Sequence, residues 1–175
     1  MGWDEISESV CQISCALSEV GDRWTLLIML ELSIGSRRFD ELQAQTGMSS
    51  HLLSTRLKRM EEDGLLERRQ YLERPPRYEY HATPKGKELD AVLLTLRAWG
   101  LRWGQSALGS VPSISMVYKA TGEVIDGHWQ IPRGDQPFTF DDIEATLHRS
   151  YRHERDAKGA VFQQKVKRKK EPPAK

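Results

Sequence analysis

The sequence lacks the features of an exported or membrane-bound protein. No apolar run is long enough to span a bilayer, and the stretch Met1–Glu5 lacks the basic and apolar regions of a signal peptide. The chain has 175 residues and two cysteines, too few for a disulfide framework. We therefore expect a cytoplasmic protein without a membrane partner.

Motifs for the common catalytic and cofactor sites are also missing. There is no Gly-x-Ser-x-Gly elbow, Walker loop or dinucleotide fingerprint, and the five histidines lack metalloprotease spacing. Cys11 and Cys15 are four residues apart and could ligate a soft metal, but no second Cys or His pair completes such a site. We expect no cofactor, no metal and no catalytic residues, and an enzyme without a recognisable motif is the weak alternative.

Charge is abundant but nearly balanced. Charged residues make up 29% of the chain, hydrophobic residues make up 38%, and the net charge is +1. From Gln163 onward there are six basic residues and one acidic residue, so the rest of the chain has a net charge of −4. Binding of a nucleic acid would therefore need a local basic surface. The basic tail is expected to be disordered, either attracting phosphates or simply solvated.

The stretch 47–83 has the pattern of a recognition helix followed by a β-wing. Gly47 ends a preceding short helix, and Ser49 is a favourable N-cap. Leu53, Leu57 and Met60 recur at i, i+4 and i+7, as on one buried stripe. The opposite face is polar at its start and then basic, which suits contacts to base edges and phosphates. It consists of Ser50, His51, Ser54, Thr55 and Lys58.

The surrounding residues complete a helix-turn-helix with a hairpin. The helix Asp40–Thr46, the turn after it and the helix Ser50–Asp63 have helix-turn-helix proportions. Leu66–Tyr71 and Arg77–Ala82 are predicted strands, and Pro75-Pro76 must form the hairpin tip because proline cannot sit in a central ladder. Arg74 and Arg77 flank this stiff tip, so we expect them to meet a minor groove or its phosphates.

Two flanking helices are predicted to form a subunit interface. One spans about 7–20, and the other begins with Thr83 as cap and Pro84 at its first position and extends to Trp103. Between them, residues 24–32 are apolar on nearly all sides and predict the central core helix. The long apolar stripe exceeds what one small domain can cover, so a second copy is its simplest cover. The predicted interface residues are Val10, Ile13, Leu17, Leu89, Val92, Leu96, Trp99 and Trp103.

The remainder predicts a folded extension without a recognisable site. Residues 114–129 have the pattern of a hairpin that turns at 120–123, and Thr139–Asp142 has the pattern of a capping box that begins a helix. We predict a winged helix-turn-helix DNA-binding and dimerisation domain over 7–106, an extension of unknown role over 107–162, and a disordered basic tail over 163–175. The fold class is mainly α with a small β-hairpin wing (α+β) and a C-terminal hairpin-helix extension.

Several blocks resemble HxlR-type bacterial transcription regulators. They are Cys11 with Ala16-Leu17, Gly21–Ile28, Arg37–Leu42, Leu53–Leu57, Glu61–Arg68, Pro75–Tyr80, Thr83–Gly86 and Trp99–Trp103. The resemblance covers roughly 11–103 and implies a winged helix-turn-helix dimer that binds palindromic operators and controls nearby genes. Gln12 stands where the family often has Pro, and Ser50-His51 stands where it often has Pro-Lys. Residues after Ser106 fall outside the resemblance.

The resemblance also bears on Cys11, which falls where redox-sensing members of the family have a thiol switch. The alternative is a small, buried helix residue. We therefore predict a homodimeric, sequence-specific DNA-binding regulator, with repression favoured and a small-molecule or redox effector left open. A winged-helix module that binds protein instead of DNA is the alternative. The predicted DNA contacts are Arg37, Arg38, Ser49, Ser50, His51, Ser54, Thr55, Lys58, Arg74 and Arg77.

Overall fold

The computed structural model of the chain describes residues 9–106, 108–109 and 111–170. The chain divides after Asp90 into two compact units. This division falls inside the segment 7–106 that the sequence predicts as one domain, and the predicted domain bounds stay a prediction.

The first unit begins with two helices. Helix α1 spans Gln12–Val20. It therefore begins later than predicted, because residues 9–11 are not helical, and residues 7–8 lie outside the described part of the chain. Helix α2 spans Thr25–Ile34 and buries Ile28, Met29 and Leu32, as expected of the central core helix. The Asp22 carboxylate accepts hydrogen bonds from the N–H groups of Trp24, just before α2, and Thr25, its first residue, so it caps the start of this helix as the sequence indicates.

A helix-turn-helix follows in the predicted place. Helix α3 spans Phe39–Thr46 and helix α4 spans Ser50–Glu62. Between them Gly47 has a φ of 71°, a left-handed conformation that glycine adopts without a steric penalty. This turn directs α4 away from α3.

The wing is a two-stranded antiparallel sheet. Strand β1 spans Leu66–Leu72 and strand β2 spans Arg77–Ala82, with Leu66 opposite Ala82 and Arg69 opposite Glu79. The tip lies between the strands and contains both prolines, as predicted. The link before α3 adds a short third edge, because the Tyr80 N–H donates to the Arg37 carbonyl at 2.8 Å and Arg38 bridges to Glu79. Helices, turn and hairpin together form a winged helix-turn-helix, so the predicted fold class is confirmed.

The prediction of one continuous helix from Pro84 to Trp103 is wrong, because the helix is interrupted after Lys87. The chain forms a short helix α5, Pro84–Lys87, and then helix α6, Asp90–Trp103. At the break, the Leu89 N–H donates to the Gly86 carbonyl three residues earlier, which tightens the backbone out of α-helical spacing. Thr83 does cap α5, since its hydroxyl accepts from the Gly86 N–H at 3.1 Å.

The second unit corrects two local predictions. Strand β3, Ile114–Tyr118, pairs antiparallel with strand β4, Ile143–Leu147, and not with the segment after the 120–123 turn. The turn itself is present, since the Tyr118 N–H donates to the Glu123 carbonyl at 2.9 Å, but only an isolated bridge follows it. The capping box at Thr139 begins a single 3₁₀ turn, Phe140–Asp142, and not the predicted helix. Strand β4 follows this turn, and Ile143 and Leu147 lie on its less exposed side.

The last helix is longer than the sequence predicts. Helix α7 spans Arg149–Lys170. The prediction that residues from 163 onward are disordered is therefore wrong for residues 163–170, while residues 171–175 lie outside the described part of the chain. The buried apolar side chains that follow α6 are Ile114, Met116, Ile125, Phe138 and Ile143.

Candidate nucleic-acid interface

Helix α4 is fixed by an apolar stripe on one side. Leu53, Leu57 and Met60 are all at most 2% exposed, as the i, i+4, i+7 spacing predicts. The Ser49 hydroxyl accepts from the Leu52 N–H at 3.2 Å and caps the helix. Burial on one side and a cap at the start leave the opposite side of α4 in solvent.

The exposed side of α4 carries the short polar residues singled out in the sequence. Ser50, His51, Ser54 and Thr55 are exposed. In the part of the chain that the structure describes, their side chains make no hydrogen bond or ion pair. Donors and acceptors are thus available to an external partner. Lys58 lies one turn further on and has Glu62 Oε1 3.7 Å from its Nζ.

Arg56 belongs to the same helix but points inward, a direction that the sequence did not lead us to predict. Its Nη1 lies 3.1 Å from Asp22 Oδ2. The other Asp22 oxygen accepts from the Trp24 and Thr25 N–H groups at 2.8 and 3.1 Å. One carboxylate therefore joins the start of α2 to the middle of α4. The available signal was the spacing, because Arg56 is three residues after Leu53 and four before Met60, at the edge of the buried stripe.

The wing tip carries two unpaired cations. Arg74 and Arg77 are exposed, and within residues 9–106 and the rest of the described chain no carboxylate lies within ion-pair distance of either. Elsewhere on the wing the cations have partners. Arg68 stacks on the Tyr78 ring at 4.4 Å and has Glu61 Oε1 at 3.9 Å, and Arg69 is paired with Glu67.

The two arginines before α3 differ from each other. The Arg37 guanidinium donates to the Leu32 carbonyl, so it closes the end of α2 and is not directed to solvent. Arg38 is exposed, stacks on the Tyr71 ring at 4.8 Å and contacts Glu79 Oε1 at 3.4 Å. The structure thus brings Arg38 to the wing and holds Arg37 in a local contact.

Burial changes the pKa values of two side chains in the wing, His81 and Tyr80. Desolvation lowers the pKa of His81, with further lowering from Arg69 and Arg37, and desolvation raises the pKa of Tyr80. Both side chains are therefore neutral near pH 7. The charge of the wing is set by its arginines and glutamates.

Cys11 lies at the start of α1, and it is exposed and not disulfide-bonded. This corrects the alternative of a buried helix residue. Nearby N–H groups of Ser14 and Ile13 and the Ser14 hydroxyl lower the pKa of the thiol, although none forms a regular capping hydrogen bond. Cys15 is half-buried, and its Sγ lies 2.9 Å from the Ser9 carbonyl oxygen as donor.

The described residues offer neither a metal-binding cluster nor a membrane-spanning helix. No group of three or more His, Cys, Asp or Glu side chains within them converges to hold a metal ion. Across the described segments, no helix is both long enough and apolar enough to cross a bilayer.

Comparison with known proteins gives consistent matches over this region. A family model described as HxlR-like helix-turn-helix matches residues 19–107. An HTH-type transcriptional regulator of Mycobacterium bovis is 39% identical over 111 residues, which are 63% of this chain and 69% of that protein. The HTH-type transcriptional regulator YvaP of Bacillus subtilis is 37% identical over 98 residues, which are 55% of this chain and 91% of that protein.

Two solved structures share the fold. The structure of PA1607, described as a transcription factor candidate, has a TM-score of 0.62 at 25% identity and covers 81% of this chain and 98% of its own. The redox regulator HypR in its oxidized form has a TM-score of 0.51 at 26% identity and covers 55% of this chain and 100% of its own.

Proposed function

Because this chain belongs to the HxlR-like helix-turn-helix family of transcriptional regulators, we propose that it represses transcription by binding a palindromic operator as a homodimer. The observation that carries the proposal is the exposed side of α4, whose polar side chains have no partner in the described chain. Short donors and acceptors on a helix are suited to base edges in the major groove. The site of action is the cytoplasm, where bacterial DNA is located.

The proposal assigns different tasks to helix and wing. Ser50, His51, Ser54 and Thr55 contact base edges, since they are short, exposed and close to the helix start. Arg74 and Arg77 contact phosphates or an adjacent minor groove, since they are unpaired cations at the wing tip. Lys58 and Arg38 add phosphate contacts. Arg37 and Ser49 act indirectly, by closing α2 and capping α4.

Two apolar stripes support the homodimer. In α1 and just before it, Val10, Ile13 and Leu17 are exposed, with Ile13 at 70%. In α6, Leu96, Trp99 and Trp103 are exposed at 48%, 58% and 71% and Val92 is exposed, while Leu89 before it is half-buried. Apolar side chains of this size are rarely grouped on a monomer surface. A dimer with two-fold symmetry on B-DNA would bind half-sites about 34–36 Å apart, or a multiple of this.

Cys11 supports a redox signal as the effector. The thiol is exposed, its pKa is lowered, and HypR is a redox regulator with the same fold. A thiol with these properties reacts with oxidants through its thiolate. A small-molecule effector is the other candidate.

The experiment that tests the proposal is a binding titration of two variants. Duplex DNA selected from a random pool and a scrambled duplex are titrated at several salt concentrations with wild type, Arg74→Ala and Thr55→Ala. Arg74→Ala should weaken both duplexes alike and lower the salt slope by about 0.9 for each phosphate that the arginine neutralises. Thr55→Ala should keep the slope and relax one operator position by roughly 1–3 kcal/mol.

Two outcomes would contradict the proposal. If Arg74→Ala changes sequence preference and Thr55→Ala changes only the salt slope, the tasks of wing and helix are reversed. If wild type shows no preference for selected DNA, the proposed sequence-specific function is overturned, and a winged-helix module that binds protein becomes the second candidate. The net charge of −4 over residues 1–90 is the observation that favours this second candidate.

A further inference from the structure

The charge of the chain is divided unevenly between its parts. Residues 9–90 contain 12 basic and 13 acidic residues, so the described segment with α4 and the wing has a net charge of −1. Helix α7 contains nine basic and two acidic residues within its 22 positions. Phosphate neutralisation supplies most non-specific DNA affinity. A winged helix without a net positive charge is poorly equipped to supply this affinity alone.

The basic residues near α4 are also largely engaged with acidic neighbours. Lys58 pairs with Glu62, and Arg59 Nε lies 3.0 Å from Asp63 Oδ2. An ion-paired cation gains less from a phosphate, because the carboxylate stays close to it. Arg74 and Arg77 are the clearest exceptions.

Helix α7 has the opposite character. Arg149, Arg152, Lys165, Lys167 and Arg168 are exposed, and none has a carboxylate within ion-pair distance among the residues that the structure describes. Lys165 and Arg168 lie at i and i+3, where like charges destabilise a helix. An anionic partner would relieve this repulsion. Lys158, by contrast, pairs with Glu154 at 2.7 Å, so the uncompensated charge is greatest towards the end of α7.

Packing accounts for only one side of α7. Tyr151, Phe162 and Val166 lie on that side and are half-buried, whereas Val161 is 49% exposed and the cations Lys165, Lys167 and Arg168 are exposed. The helix is about 33 Å long at 1.5 Å per residue, close to one turn of B-DNA. Its size and charge thus match a stretch of phosphate backbone.

We propose that α7 is a second DNA-binding element, which contacts backbone phosphates through Lys165, Lys167 and Arg168 whatever the sequence. This inference rests on the proposed function, since it assigns to the same regulator a separate source of affinity. Helix α4 discriminates between sequences, and α7 increases the affinity for all of them. The partner is double-stranded DNA, because the chain belongs to a family of DNA-binding regulators.

The test removes three charges from the full-length protein. In Lys165→Gln/Lys167→Gln/Arg168→Gln, affinity for selected and scrambled duplexes at 0.1 M salt should fall on the order of 100-fold, and the salt slope should fall by about 2.7. The ratio of the two affinities should stay as in wild type. Circular dichroism checks that the helix content is kept.

Two further comparisons exclude trivial causes. Lys165→Arg/Lys167→Arg/Arg168→Lys keeps the charge and should bind as wild type does. Lys167→Gln should lower the slope by about 0.9, whereas Arg133→Gln, which removes an equally exposed cation outside α7, should leave it unchanged. Lys165→Gln/Lys167→Gln is the milder variant if the triple variant loses helix content, and it should lower the slope by about 1.8.

The outcomes separate this inference from the proposed function. An unchanged salt slope in the neutral variants, or equal losses in the charge-keeping variant, would overturn the role of α7 even if wild type prefers selected DNA. A lowered slope in a protein without sequence preference would support α7 and overturn the proposed function. Retained DNA affinity with weakened binding to phosphatidylglycerol vesicles would assign α7 to a membrane surface instead.

Discussion

Helices α4 and α7 are both surface helices, but they use their side chains in different ways. Helix α4 buries Leu53, Leu57 and Met60, anchors Arg56 to Asp22 and pairs Lys58 and Arg59 with carboxylates. Helix α7 leaves most of its cations exposed and without a carboxylate within the described chain. The first helix is positioned by its own chain, as sequence discrimination requires. Helix α7 is suited to a partner that it recognises by negative charge and not by the exact position of each group.

The same contrast extends to the helices that flank the winged helix. The apolar side chains that face the core from α2 and α4 are buried within a single chain, whereas the predicted interface stripes of α1 and α6 are largely exposed. Substitutions in the covered set should therefore lower the stability of the fold. Substitutions in the exposed set should change assembly or binding.

The largest expected effect is on the core of α4. Leu57→Ala leaves a cavity and should lower the free energy of unfolding by about 2–5 kcal/mol, since Leu57 is 2% exposed. The matched truncation Val161→Ala in α7 should change it by less than about 0.5 kcal/mol. Urea unfolding measures both. Equal losses would show that α7 packs as closely as α4 does.

Next in size is the effect on assembly through α6. Leu96→Asp would place an unpaired carboxylate in the proposed interface, at a cost of roughly 2–3 kcal/mol of association free energy. Sedimentation should then show a smaller dimer fraction. Thr95→Asp introduces the same charge at an exposed neighbouring residue. It should leave the dimer intact if the interface is formed by the side of α6 that carries Leu96. An unaffected Leu96→Asp dimer would remove α6 from the interface.

A smaller effect is expected from the link between α2 and α4. Arg56→Ala would leave the Asp22 carboxylate without its cation, and we expect a loss of about 1–3 kcal/mol in unfolding free energy. Lys58→Ala breaks an exposed i, i+4 pair and should cost less than about 0.5 kcal/mol. Thermal unfolding compares the two variants. If Lys58→Ala is the more costly, the inward pair does not position α4.

The smallest effect on stability is expected at Cys11. Cys11→Ser should unfold as wild type does, because the side chain is exposed. Mild oxidant should release DNA from wild type and from Cys15→Ser but not from Cys11→Ser. Anisotropy of labelled duplex DNA measures release. A Cys11→Ser protein that still releases DNA would exclude this thiol as the sensor.

The winged helix could be predicted from sequence because local signals agree there. Gly47, Gly64 and Pro75-Pro76 mark the boundaries of α4 and the hairpin, and the spacing of Leu53, Leu57 and Met60 defines the buried side. Once the buried side of α4 is known, the residues on its exposed side can be identified from helical spacing. The inward direction of Arg56 could not be predicted in the same way, because a long charged side chain at the edge of a buried stripe can turn to either side.

The second unit was harder to predict because its contacts are long-range. Strand β3 pairs with β4 across more than twenty residues, and no local signal specifies that partner. The capping box at Thr139 is genuine but is followed by a strand, since tertiary pairing overrode the helix signal. In α7, the run of like charges indicated disorder, although the helix continues to Lys170.

The wing is held at its base by Thr83 and further along β2 by the backbone pairing of Tyr80 with Arg37. The Thr83 N–H donates to the Leu65 carbonyl at 3.1 Å, and its hydroxyl donates to the Gly64 carbonyl at 2.6 Å. Strand β2 extends about 20 Å from this base, at roughly 3.3 Å per residue, and its outer half lies beyond the pairing with Arg37. A tilt of about 5° at the base would therefore displace the tip by about 2 Å, enough to make or break a phosphate contact. In the proposed complex, residues that do not contact DNA, Thr83 among them, would therefore influence where Arg74 and Arg77 contact it.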